Sequence, residues 1–229
     1  MPSHDKQIAA IKMHDWFIEE REYERHAQRR GRRHAYEHID PERTAFVAID
    51  LTPFFVEQSA YARGIVPRVN ELATSVRNTG GAIAWVVPGY REPTATEREF
   101  LGDDVAEVYA RSGGTGEPRA RLWHELACAD GDIFVEKSAH SAYFPGRSPL
   151  PELLAARGID TLIVAGALTN VCVEATVRDA STQGLRVILA ADACAARRDR
   201  DHNAALHTIY RSYGDVRATE EIIQLVRGQ

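Results

Sequence analysis

The stretch TLIVAGALTNVCVEATVRDASTQGLRVILAAD, residues 161–192, decides the fold. It opens with the apolar run 161–166, continues with apolar residues at helical spacing, and passes Gly184 before a second apolar run at 186–192. Runs that are apolar on both faces are typical of strands in a parallel sheet covered by helices, and glycine commonly ends a helix. The stretch therefore predicts a strand, a crossover helix and a second, parallel strand.

The same alternation of apolar runs and amphipathic segments extends over most of the chain. The expected strands are 44–50, 82–87, 132–136, 161–166 and 186–192, with a weaker sixth at 215–219. Amphipathic segments precede Gly80, Gly158 and Gly184, which we interpret as helix ends. This pattern predicts an α/β domain built on a doubly wound parallel sheet.

Length and composition agree with one globular domain. The chain has 229 residues, of which 44% are hydrophobic and 27% charged, and it contains no apolar run long enough to cross a bilayer. A net charge of −5 argues against a nucleic-acid partner, so we interpret the short basic run 29–33 as a solvated or intersubunit surface. We expect no membrane or nucleic-acid partner.

The N-terminus and the cysteines indicate the compartment. The first residues lack the apolar core of a signal peptide. The three cysteines have no C-x-x-C spacing, which favours reduced thiols over a disulfide framework. Both observations predict a cytoplasmic protein.

Residues 5–30 carry apolar side chains at helical spacing between charged ones. These apolar positions are Ile8, Ile11, Trp16, Phe17 and Tyr23. We predict an amphipathic helix outside the main core, so that residues 1–40 form a helical arm and residues 41–229 the main domain. Such an arm packs either on a neighbouring subunit or on its own domain, and its apolar positions favour a homo-oligomer.

Three reactive side chains lie at or just after strand ends. Asp50 ends the first strand, Lys137 follows the third, and Cys172 lies six residues after the fourth. Ligands of parallel sheets bind at the carboxyl ends of the strands, where these side chains are expected to meet. A helix N-terminus and the ammonium of Lys137 both stabilise a thiolate, and Asp50 can accept and return the proton. This set predicts acyl transfer on a cysteine.

Three segments carry a resemblance to a known family. They are TAFVAIDLTPFFV at 44–56, VEKSAHSAYF at 135–144 and VAGALTNVCVEATVRDA at 164–180. The third is close to the pattern G-x-x-T-N-x-C-V-x-x-T-x-R-D-A of the isochorismatase-like cysteine hydrolase superfamily, which the chain resembles from about residue 40 onward.

The resemblance implies a six-stranded parallel sheet with helices on both faces, and a homo-oligomer, either a dimer or a tetramer. It implies that Asp50, Lys137 and Cys172 form the catalytic triad. It further implies a cis peptide between Leu168 and Thr169, and an oxyanion hole built from the backbone N–H groups of Thr169 and Cys172. The first motif departs from the usual Asp-Met-Gln, because Thr52 stands in the place of the glutamine.

The presence of Cys172 favours C–N hydrolysis through a thioester, since amidase members keep this cysteine. The substrate class is then a small amide or ureide. Vinyl-ether cleavage of the isochorismatase type, with the aspartate as acid, is the first alternative. A non-catalytic binding protein on the same fold is the second.

No cofactor is expected. Nicotinamidases of the superfamily bind a metal through histidines after the second strand, and the segment WVVPGYREP at 85–93 contains none.

The residues that select the substrate are expected in the Pro- and Gly-rich stretch 88–131, read as a long irregular insertion. Arg91, Arg119 and Arg121 are its candidate groups for a substrate carboxylate, and no spacing argument selects one of them. We interpret Cys128 and Cys194 as packing residues. Candidates for lining the substrate pocket are Phe55, Trp85, Tyr90, His140 and Phe144.

Overall fold

The structure is a computed structural model and describes residues 11–228. Six parallel strands form one sheet in the order β3-β2-β1-β4-β5-β6. The strands are β1 (Thr44–Ile49), β2 (Ala82–Pro88), β3 (Ile133–Lys137), β4 (Thr161–Ala167), β5 (Arg186–Ala195) and β6 (Asp215–Arg217). The predicted doubly wound, six-stranded parallel sheet is confirmed, including its weak last strand.

Helices cover the sheet. The α-helices are α1 (Glu20–Arg30), α2 (Pro53–Val56), α3 (Ala60–Gly64), α4 (Val66–Asn78), α5 (Ala95–Leu101), α6 (Asp103–Ala110), α7 (Leu150–Ala155), α8 (Glu174–Thr182), α9 (Asp199–Ser212) and α10 (Thr219–Val226). Every residue of β1 and β4 is buried, which requires cover on both faces. None of the helices between residues 11 and 228 has the length and apolar character to cross a membrane.

The two central strands, β1 and β4, define the place where a site can form. The chain winds outward from β1 through β2 to β3 on one side, and from β4 through β5 to β6 on the other. The order therefore reverses between β1 and β4, which is the switch point at which doubly wound sheets bind ligands. Ile49 is paired with Gly166 at this point, directly before Asp50.

Gly166 allows the two strands to approach closely at the switch point. Its φ is +117°, and an added Cβ would lie 2.2 Å from the carbonyl oxygen of Ile49. No residue other than glycine fits both conditions. The position of Asp50, the next residue after Ile49, therefore depends on this glycine.

The N-terminal segment differs from the predicted helix. Residues 11–19 are not helical, and α1 begins only at Glu20. Phe17 is exposed, whereas Ile18 joins the main hydrophobic core, as does Tyr23 of α1. The described part of the arm thus packs on its own domain and contributes to its core. Ile8, at the start of the predicted helix, lies outside the described residues.

The stretch 88–131 is not an irregular insertion, because it contains α5, α6 and a 3₁₀ turn at Pro118–Arg121. The start of α5 is a capping box in which the Thr94 hydroxyl accepts from the Glu97 N–H, and the Glu97 carboxylate accepts from the Thr94 N–H. This T-x-x-E signature is present in the sequence and predicts a helix start.

Candidate active site

Asp50 stands at the end of β1 with a fully buried side chain. Its φ is +57°, a left-handed conformation that is uncommon for a residue other than glycine. Its backbone N–H donates to the Val86 carbonyl on the neighbouring strand β2, at 2.9 Å. The carboxylate is therefore held by the sheet at its carboxyl edge.

Lys137, the last residue of β3, brings a buried ammonium to this carboxylate. Its Nζ lies 2.9 Å from Oδ2 of Asp50, with side-chain exposures of 3% and 0%. The same Nζ donates to the Ala139 carbonyl at 3.1 Å and lies 3.4 Å from Sγ of Cys172. Lys137 thus connects the carboxylate to the thiol, and we call these three residues the Asp–Lys–Cys cluster.

Cys172 lies in a short π-helical turn, Thr169–Val173, between β4 and α8. It is not in the first turn of α8, as the sequence suggested, because α8 begins only at Glu174. Cys172 is buried, with 8% of its surface exposed, and its sulfur lies next to the ammonium that also pairs with Asp50. All three members of the cluster therefore meet where the sequence placed them, at one edge of the sheet.

Burial controls the protonation of the cluster. It raises the pKa of the Cys172 thiol to about 12; the Asp50 carboxylate adds to the rise and Lys137 opposes it. Burial also raises the pKa of Asp50, again against the ammonium. Burial alone would lower the pKa of Lys137, but Asp50 and Cys172 hold it above its usual value. The resting site therefore holds a neutral thiol, whereas the sequence favoured a thiolate.

The cis peptide is one bond earlier than expected. It joins Ala167 to Leu168, whereas the family resemblance implies a cis bond between Leu168 and Thr169. Strand β4 ends at Ala167, so the cis bond lies where the chain leaves the sheet. The motif letters alone do not distinguish which of two adjacent bonds makes this turn.

A sequence model of the isochorismatase domain matches residues 44–221. The chain belongs to the isochorismatase family. It is 33% identical over 194 residues to the uncharacterized isochorismatase family protein YwoC of Bacillus subtilis, a match that covers 82% of this chain and 97% of YwoC. It is also 33% identical over 194 residues to maleamate amidohydrolase of Pseudomonas putida, with 80% of this chain and 86% of the relative covered.

A solved structure supports the same assignment. The crystal structure of a cysteine hydrolase from Pseudomonas syringae superimposes with a TM-score of 0.73 at 27% identity, covering 85% of this chain and 96% of that one. Membership of the isochorismatase family makes the protein a hydrolase and therefore an enzyme.

Of the aromatic pocket candidates, Trp85 is placed differently from the expectation. Trp85 is fully buried in the core of this isochorismatase fold, where its Nε1 donates to Asp132 Oδ2 at 2.7 Å, so it lines no accessible pocket. Phe55 is half-buried and makes an edge contact with Phe54. The position of Trp85 within β2 directs its ring into the packed face of the sheet, against Phe46.

The other three candidates are exposed at the surface. Tyr90 is 57% exposed and lines a cavity of about 500 Å³ together with Lys137 and Ser138. Phe144 is 50% exposed. His140 is exposed.

The three candidate arginines all have carboxylate partners of their own. Arg91 is paired with Glu97, Arg119 with Asp130, and the buried Arg121 with Glu136. None of them contacts the Asp–Lys–Cys cluster. Within residues 11–228, no group of three or more His, Cys, Asp or Glu side chains is arranged to hold a metal ion.

Two threonines of the first and third motifs make buried hydrogen bonds that sequence reasoning did not predict. The Thr176 hydroxyl donates to the Cys172 carbonyl at 2.7 Å and accepts from the Ala142 N–H at 2.9 Å. The Thr52 hydroxyl donates to the Ser112 carbonyl at 3.0 Å. A hydroxyl on an otherwise apolar helix face was the available signal for Thr176, because buried polar groups are almost always hydrogen-bonded.

Proposed function

We propose that the protein hydrolyses a C–N bond of a small amide or ureide through a thioester on Cys172. The observation that carries this proposal is the cluster geometry: Lys137 Nζ lies 2.9 Å from the carboxylate of Asp50 and 3.4 Å from the sulfur of Cys172. A thiol, a proton acceptor and a fixed positive charge are the groups that acyl transfer on cysteine requires. The amidohydrolase among the relatives supports the same chemistry.

In the first half of the reaction, the sulfur of Cys172 forms a bond to the substrate carbonyl carbon while the thiol proton passes to Asp50. The raised pKa of Asp50 suits it to receive this proton. Lys137 remains charged throughout and stabilises the sulfur as negative charge develops on it. A thiol with a pKa near 12 is thereby activated only as it attacks, not in the free enzyme.

The negative charge on the carbonyl oxygen requires hydrogen-bond donors. We assign this role to the backbone N–H groups of Thr169 and Cys172, the predicted oxyanion hole. The neighbouring N–H groups of Val171 and Val173 are already used, since both donate to the Leu168 carbonyl, at 3.0 and 3.3 Å. Among residues 11–228, no group accepts from the Thr169 N–H, which leaves it free for a substrate oxygen.

In the second half, Asp50 returns the proton to the substrate nitrogen, the C–N bond breaks, and ammonia or an amine leaves. Water then attacks the thioester carbonyl and gives a proton to Asp50. The C–S bond breaks, the acid product leaves, and the proton returns to the sulfur. Each atom and charge of the resting cluster is restored, so no external acid, base or cofactor is consumed.

Ammonia release from a panel that includes maleamate, ureidoacrylate, biuret and carbamoylsarcosine tests the proposal. Cys172→Ala should abolish release from every substrate that the natural protein cleaves, with an unchanged circular dichroism spectrum. Cys128→Ala is the matched control, because this half-buried thiol lies outside the cluster. Mass spectrometry during turnover should trap an acyl adduct on Cys172, and amide hydrolysis by Cys172→Ala would refute the thioester.

Vinyl-ether cleavage is a second candidate, favoured by the raised pKa of Asp50, which suits a carboxylic acid that protonates a substrate. This reaction needs no covalent intermediate. Cleavage of isochorismate that persists in Cys172→Ala, without any adduct on the natural protein, would support it over amide hydrolysis.

We further propose that the enzyme works as a cytoplasmic homo-oligomer, a dimer or tetramer. Exposed apolar side chains on α5 and α6, including Phe100 and Val108, support an association surface. The three cysteines are free thiols, which supports a reducing compartment. Light scattering of the purified protein measures the assembly, and a strictly monomeric mass would contradict it.

A further inference from the structure

His14, in the non-helical segment before α1, is buried between two other rings. It stacks on Tyr61 of α3 and on His202 of α9, with centroid distances of 3.8 and 4.2 Å. Its Nδ1 lies 2.6 Å from Asp199 Oδ1, and the Ala196 N–H donates to its Nε2 at 2.9 Å. Because an N–H group occupies the lone pair of Nε2, the neutral ring carries its proton on Nδ1 and donates it to Asp199.

His202 connects this stack to the turn that carries the nucleophile. Its Nδ1 lies 2.9 Å from the hydroxyl of Thr169, and both side chains are fully buried. Burial lowers the pKa of His202 to about 3, so the ring is neutral at physiological pH. A neutral ring held on one face by His14 offers Thr169 a partner with a fixed position.

We propose that His14 is a positioning residue for the oxyanion-binding turn. The hydrogen bonds with Asp199 and the Ala196 N–H hold the His14 ring in place, and the held ring fixes the His202 ring by stacking. His202 fixes the Thr169 side chain, and the side chain sets the direction of the Thr169 backbone N–H. This inference rests on the proposed function, in which that N–H binds the substrate oxyanion. The N-terminal arm is then part of the catalytic apparatus of its own chain.

The arm is docked by specific contacts and not by apolar burial alone. An added Cβ on Gly64 of α3 would lie 2.1 Å from the Lys12 carbonyl oxygen, so this glycine permits the close approach of the arm. Asn203 of α9 accepts from the Phe17 N–H and donates to the Asp15 carbonyl, each at 3.0 Å. These contacts fix the register of the segment on both sides of His14.

The test compares His14→Phe with His38→Phe. Phenylalanine keeps the stacking ring at position 14 but loses both hydrogen bonds of the imidazole, whereas His38 is an exposed histidine of the same arm. We expect kcat for the best amide of the panel to fall about 10- to 100-fold in His14→Phe, with KM within about twofold, because misdirected oxyanion donors cost rate more than binding. His38→Phe should retain the kcat and KM of the natural protein.

A double-variant comparison identifies the route of the effect. Thr169→Val removes the hydroxyl that His202 holds, and it should lower kcat by a similar factor. Combining it with His14→Phe should cause little further loss, since both changes break the same connection. Unchanged kcat in folded His14→Phe, or losses that multiply in the double variant, would overturn the inference.

Two further measurements do not depend on His14→Phe folding, and the second of them needs no known substrate. Asp199→Asn alters a side chain that is 41% exposed, so the fold should persist while His14 is held less firmly, and kcat should fall about threefold or more. In ¹H–¹⁵N spectra, the amide resonance of Thr169 should move in Asp199→Asn and stay in place in His38→Phe. An unmoved resonance would refute the connection. Absence of amide turnover by the natural protein would refute only the proposed function.

Discussion

Replacing Lys137 with methionine removes one charge from the buried ion pair and nearly conserves the volume of the side chain. The lost partner of Asp50 lies 2.9 Å away, and the two side chains are 3% and 0% exposed. An isolated carboxylate in this position cannot be solvated by water. Breaking a buried pair by removing one member costs about 3–5 kcal/mol, and we expect a loss of this size in the free energy of unfolding at pH 8.

The sign of the pH dependence follows from the pKa of Asp50. Burial already raises this pKa above its unfolded value, and Lys137 opposes the rise, so the variant raises it further. A carboxyl group whose pKa is higher in the folded state stabilises the protein fully below its unfolded pKa, and that stability is lost as the pH rises through the folded value. The cost of Lys137→Met should therefore be largest at pH 8 and shrink toward pH 4, where Asp50 becomes neutral.

Urea denaturation of the natural protein and of Lys137→Met between pH 4 and pH 8 measures this loss in the free energy of unfolding. Arg119→Met is the matched control, because it removes a cation whose partner Asp130 is 95% exposed at a similar distance of 2.7 Å, and no measurable change is expected. A cost below about 1 kcal/mol at pH 8, or a cost that grows toward acid pH, would refute the electrostatic account of the cluster.

Two more predictions concern the backbone and the thiol. Gly166→Ala should destabilise the fold by about 2–5 kcal/mol in urea denaturation, from an unfavourable φ and the clash with the Ile49 carbonyl. Gly158→Ala, with φ +70° and open space around it, should cost only about 1–2 kcal/mol, and equal costs would contradict the clash. The rate of Cys172 alkylation by iodoacetamide should keep rising beyond pH 10, as a thiol pKa of about 12 requires. A plateau below pH 8 would show a resting thiolate. Slow alkylation at neutral pH would not show that the protein is non-catalytic, because the thiol is activated only as it attacks the substrate.

Much of the fold could be predicted because its signals are local. Strands buried on both faces must be apolar at every position, so β1 and β4 are visible as continuous runs in the sequence. Glycines mark the ends of the crossover helices. The helices α5 and α6 are hard to predict, because two short helices with few buried residues have weak periodicity, although the Thr94 capping box marks the start of α5.

The candidate site could be predicted to the level of its three principal residues. Strand ends bring Asp50 and Lys137 to one edge, and the third motif places Cys172 beside them. The position of the cis bond and the role of Thr176 could not be obtained in the same way. Both depend on which backbone groups face one another in the turn after β4, and the spacing of residues in the sequence does not encode that arrangement.

The sequence by itself determined the sheet, the order of its strands along the chain, the family resemblance and the identity of the reactive side chains, because each follows from local pattern or motif. Only the tertiary structure decided the charge state of the cluster, since desolvation depends on everything that surrounds Cys172. It also decided the place of the arm. His14 reaches Asp199, 185 residues away, and an interaction between such distant positions leaves no periodic signal in the chain.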